Sequence, residues 1–119
     1  MGPSPRRKTP RTRAASRRIE KRRLEKLIEE ATIDANNESE QRTGLFTMMD
    51  EHLETPFDTD VLGVHVVVEG VDLTLSDEIV ALCRRDGRRQ RIPILDLALP
   101  TPPPAGAEWI EAYRHWMKH

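Results

Sequence analysis

Aromatic residues are scarce in this chain: two Trp, two Phe and one Tyr among 119 residues. None lies before Phe46, so the most basic stretch has no ring on which a nucleobase would stack. Cysteine is nearly absent, and the single Cys83 excludes an intramolecular disulfide framework. Glycine is sparse too, with six residues and no Gly-rich phosphate loop. No nucleophile elbow or acid–base pair at recognisable spacing replaces it, so a non-enzyme is expected. Nothing approaches the roughly 18 consecutive apolar residues of a membrane span. No apolar segment follows the N-terminal charges as a secretory signal requires. A cytoplasmic protein without membrane contact is the expectation, of a length that suits one domain.

What the chain has in quantity is charge, sorted by sign. Residues 1–26 hold eleven Lys/Arg against Glu20 and Glu25, while residues 27–60 hold ten acids against Arg42 alone. The formal net charge of −1 hides this reversal. Residues 1–18 contain Pro3, Pro5 and Pro10 and no large apolar residue except Met1. Such a segment cannot bury enough surface to offset the entropy of ordering, which predicts a disordered basic arm over 1–18 and a single domain over 19–119. The arm's Arg6, Arg7, Lys8, Arg11, Arg13, Arg17 and Arg18 suit sequence-independent, salt-sensitive contact with nucleic acid phosphates. A solubilising tail is the plainer reading of the same residues.

Periodicity divides the rest. Leu24, Leu27, Ile28 and Ala31 recur at i, i+3, i+4 and i+7, which predicts a helix over about 14–31. A second helix is expected from about Glu38 to Glu54, with Leu45, Phe46, Met49 and Leu53 inward and Asn37 as N-cap. Thr55-Pro56 ends it. Val61–Glu69 reads as a β-branched strand with Gly63 as a bulge. Glu78–Arg84 and Arg91–Leu97 flank the hairpin signal Asp86-Gly87. A short helix over Glu108–Lys118 closes the chain, turning Trp109, Tyr113 (or Ala112) and Trp116 inward. Helices, then antiparallel strands, then a helix describe an α+β domain with a small antiparallel sheet or open barrel.

The acidic stretch invites a metal reading, because calcium takes six to eight oxygen ligands, chiefly carboxylates and carbonyls. An EF-hand beginning at Asp34 fails, with Ser39 at the required glycine and Leu45 at the closing glutamate. One beginning at Asp58 places Leu62 at a ligand position and then runs into a strand. The densest carboxylate cluster in sequence is Asp50, Glu51, Glu54, Asp58 and Asp60, on the second helix and the loop expected after it. Asp34 and Glu38 would form a second, weaker group. A solvated acidic helix face is the competing reading.

One further pattern spans residues 19–118. Ile33-Asp34-Ala35-Asn36 precedes an acidic helix, and Met49-Asp50-Glu51-His52-Leu53 leads to Pro56-Phe57. Val66–Gly70, Ile92–Leu97 and Glu111–Trp116 follow in order. In sequence and spacing this resembles the small bacterial calcium-binding proteins of the cyanobacterial CcbP type. The resemblance implies a compact α+β protein that binds Ca2+ without EF-hands, through surface carboxylates. By position it carries the family's paired acids onto Asp50 and Glu51 and its early acids onto Asp34 and Glu38. Asn36 stands where that family has Tyr, and the basic arm has no counterpart in it. The resulting expectation is a calcium-binding protein in a buffering or signalling role. The alternative is a non-enzymatic nucleic-acid-associated module acting through the arm.

Overall fold

A computed structural model describes the backbone of residues 10–118, with side chains from Glu20 onward. The first helix, α1, runs Pro10–Ala31. It begins about one turn before residue 14, where the sequence placed its start, so residues 10–18 of the expected arm are helical. Ala and Arg dominate that segment and are among the best helix formers. Pro10 lies at the start, where a missing N–H costs nothing. Leu24, Leu27, Ile28 and Ala31 pack, partly buried, against the core.

Helix α2 spans Glu38–His52. As expected, Asn37 caps it, with Oδ1 accepting the Glu40 N–H at 2.9 Å. The Glu40 carboxylate in turn accepts the Asn36 N–H at 2.7 Å. Leu45 and Met49 are fully buried and Leu53 nearly so. The helix ends at His52 because Leu53 turns extended, with φ −73° and ψ 120°. The crossing with α1 depends on Gly44: a Cβ there would stand 2.1 Å from the Ala31 carbonyl oxygen.

Four antiparallel strands follow in simple meander order: β1 (Phe57–Val61), β2 (Val64–Leu73), β3 (Ile79–Arg85) and β4 (Arg88–Pro93). The fold is the expected α+β arrangement, and the sheet is open. β1 was not expected as a strand. Phe57, Thr59 and Val61 alternate with Asp58 and Asp60, so one face enters the core and the other meets water. Gly63 belongs to a turn instead of a bulge: Leu62 and Gly63 have φ of 51° and 79°. Asp86 and Gly87, at 52° and 75°, make the second such turn, as their sequence signals. The register shift lies between Val68 and Gly70. Ile94–Asp96 forms a 3-10 turn where a strand was expected to continue.

Val66, Val68 and Val71 of β2 join Ile79, Ala81 and Cys83 of β3 on the inner face of the sheet. They share one core with α2 and with Trp109, Ile110, Ala112 and Tyr113 of α3 (Glu108–Met117). The segment after the 3-10 turn covers the free edge of β1: the Thr59 hydroxyl donates to the Ala98 carbonyl, and the Ala98 N–H donates to the Asp60 carbonyl at 3.2 Å. β4 forms the opposite edge of the sheet. No described helix is long and apolar enough to cross a membrane.

Candidate functional site

The seven carboxylates singled out from the sequence fall in three places. Asp34 and Glu38 lie at the N-terminal end of α2, where Glu38 approaches Arg42 at 3.6 Å. Asp50 and Glu51 occupy the last turn of α2, and Glu54 follows it. With a rise of 1.5 Å per residue, the two ends of this helix stand about 20 Å apart. Asp58 and Asp60 project from β1 on the outer face of the sheet, not from a loop as expected. There they flank His65 at 3.4 and 3.9 Å.

Glu54 does not continue the helical side of Glu51, because Leu53 leaves the helix to bury its side chain. All seven acids are exposed. Among the described residues, no group of three or more His, Cys, Asp or Glu is arranged to hold a metal ion. The expected convergence of Asp50, Glu51, Glu54, Asp58 and Asp60 is therefore not a preformed chelate in this structure.

The electrostatics of α2 are nevertheless lopsided. Glu38 and Glu40 at its start complement the helix dipole, while Asp50 and Glu51 at its end oppose it. The last turn holds only His52 as a base, and that ring stacks on Trp109 at 5.9 Å. No ion pair to a described residue joins Asp50, Glu51 or Glu54 (the described pairs lie elsewhere).

Sequence reasoning missed two arrangements. The first centres on Arg42, the one base among the ten acids. It pairs with Asp77 at 2.7 Å and lies over the Trp116 ring at 4.9 Å. Its side chain is 13 % exposed. Burial works against its charge, but Tyr113 and Asp77 outweigh that and hold the guanidinium above its ordinary pKa. Trp116 donates its indole N–H to Gln41 at 3.0 Å, which fixes the ring. The only available signal was the isolation of one cation in an acidic run.

The second arrangement is the β3–β4 hairpin, Arg84-Arg85-Asp86-Gly87-Arg88-Arg89-Gln90-Arg91. Five arginines crowd into eight residues there, a density lost when the charge of residues 61–119 is averaged to near zero. Cross-strand register sets Arg84 opposite Arg89 and Arg85 opposite Arg88.

The arm residues give less. Arg6, Arg7 and Lys8 lie outside the described residues, and Arg11, Arg13, Arg17 and Arg18 fall on the backbone of α1. Cys83 is buried, and burial, together with nearby Glu69, pushes its thiol pKa up. That is the environment of an inert thiol. Searches of protein-family models, of curated proteins and of solved structures each return no match for this chain.

Proposed function

We propose that this protein is a non-enzymatic calcium-binding protein whose ion is drawn to the C-terminal end of α2. The observation that carries the reading is the set Asp50, Glu51 and Glu54: three exposed carboxylates at a helix C-terminus, without an ion pair among the described residues. Negative charge there opposes the dipole, and a divalent cation relieves both repulsions together. Resemblance at Met49–Leu53 and Pro56-Phe57 supports the choice of calcium.

The ligands are free side chains that must be ordered around the ion, so binding is weak and costs conformational entropy. Asp58, Asp60, Asp34 and Glu38 would contribute to the surrounding negative field more than to the first contact. A buried, free Cys83 suits a reducing cytoplasm.

The experiment is thermal unfolding in calcium against chelator, on the whole chain. A ligand that binds only the native state adds about 2.7 kcal/mol at a hundredfold excess over Kd. Trp109 provides a second readout, because its ring stacks on His52 in the turn that carries Asp50 and Glu51. An unchanged midpoint and unchanged fluorescence at millimolar calcium would end this reading.

A further inference from the structure

The hairpin of β3 and β4 carries like charges where a sheet least tolerates them. Two successive cross-strand pairs, Arg84–Arg89 and Arg85–Arg88, are cation opposite cation, an arrangement that destabilises an antiparallel ladder. Strand alternation places Arg84, Arg89 and Arg91 on one face of the hairpin and Arg85 and Arg88 on the other.

The two faces are not treated alike by the rest of the fold. On the first, Glu69 of β2 approaches both Arg84, at 2.7 Å, and Arg89, at 3.8 Å. Asp72 approaches Arg91 at 3.7 Å. On the second, Asp86 lies 3.6 Å from Arg85, and no described acid pairs with Arg88. The Arg85–Arg88 pair at the tip is thus the least compensated.

We propose that the β3–β4 hairpin binds the phosphate backbone of duplex DNA, with Arg85 and Arg88 at its tip as the principal contacts. The planar guanidinium fork matches phosphate oxygens in pairs. A two-stranded ribbon is of a size that the major groove admits. Entering tip first, the hairpin turns Arg85 and Arg88 toward the phosphates of one wall, while Arg84, Arg89 and Arg91 on the other face stay beside Glu69 and Asp72. Neither strand carries an aromatic residue between Arg84 and Arg91, which removes the stacking platform that single strands need. The contact is therefore to backbone and insensitive to sequence. It is separate from the N-terminal arm and independent of calcium.

The test is fluorescence anisotropy of the whole chain with a labelled 20-base-pair DNA duplex across a salt series, comparing the natural protein with R85A/R88A and R85K/R88K. Each phosphate contact contributes about 0.9 to the slope of log affinity against log salt, so R85A/R88A lowers the slope by about 1.8. R85K/R88K keeps most of it. Basic residues before the hairpin are the same in all three proteins and cancel in the difference. An unchanged slope in R85A/R88A, with unchanged circular dichroism, overturns the proposal and leaves the arginines as a charged guard on an edge strand. Equal or tighter binding to single-stranded DNA, or to vesicles containing phosphatidylserine, with the same loss in R85A/R88A, assigns the surface to a different polyanion and overturns it too.

Discussion

Arg42, in the first half of α2, reaches Asp77 in the β2–β3 connection across 2.7 Å while its guanidinium lies over Trp116 of α3. One side chain thus joins a helix, a strand connection and the last helix. Asp77 has a φ of 67°, a left-handed conformation that Asp and Asn tolerate better than most residues. Replacing Arg42 by Ala removes the cation and its packing on Trp116, and costs about 2 kcal/mol after allowance for the partial exposure of Asp77. D77N keeps the backbone and costs about 1 kcal/mol. Urea denaturation of both single variants and the double variant measures the coupling, expected at about 1 kcal/mol. A coupling near zero would show that Arg42 acts by packing alone.

Gly44 and Gly106 have no room for a side chain. A Cβ at Gly44 would stand 2.1 Å from the Ala31 carbonyl oxygen, and one at Gly106 would stand 2.1 Å from that of His52. Gly106 also has a φ of 87°. Alanine is the better helix former by about 1 kcal/mol, yet G44A destabilises by about 2 kcal/mol because α1 must move off α2. G106A loses at least as much, since its backbone is strained as well. Melting curves decide both: a G44A midpoint at or above that of the natural protein would show that the helices separate without cost.

At the other end of α2, neutralising the carboxylates has opposite effects with and without calcium. D50N/E51Q removes two charges that oppose the helix dipole, so without metal it gains about 0.5 kcal/mol per charge at low salt. The same variant loses the calcium-dependent rise in midpoint. Calorimetry in chelator and in calcium separates the two effects, and a full calcium response in the variant would move the ion elsewhere.

Burial raises the Cys83 thiol above its ordinary pKa, so the folded state favours the protonated form more strongly than the unfolded state does. Its contribution is complete below the unfolded pKa of about 8.5 and falls as pH climbs from there toward the folded value. Stability measured from pH 7 to pH 10 should decline less in C83A than in the natural protein. Ellman's reagent should react with the natural protein only as it unfolds. Fast reaction under native conditions would contradict the buried position.

Local chemistry made much of this fold legible. Asn37 could be identified as a cap because its side chain competes for the first free N–H groups of the helix it starts. Asp86-Gly87 marked a hairpin because both residues accept left-handed backbone. Leu45 and Met49 declared a buried stripe by spacing alone. β1 was concealed because its solvent face is aspartate, and Asp58 and Asp60 drew the eye as ligands before their alternation with Phe57, Thr59 and Val61 did. The separation of the carboxylates depended on a tertiary event, the turning of Leu53 into the core one residue after the helix ends. The Arg42 arrangement needed partners 35 and 74 positions away. The arginine hairpin was present in the letters throughout, and averaging charge over the final 59 residues erased it.

The first helix and the last hold each other. α1 meets α3 through an ion pair of Arg23 with Glu108 at 3.9 Å and a close approach of the Glu25 carboxylate to the His115 ring at 3.5 Å. During translation, α1 leaves the ribosome before α3, which follows only after all four strands. The meander joins neighbours in sequence and can zip as it emerges, but the apolar side of α1, which α2 covers only in part at the Gly44 crossing, stays incompletely covered until α3 arrives. A nascent chain arrested between β4 and α3 should therefore remain sensitive to protease in α1 while its strands are already protected.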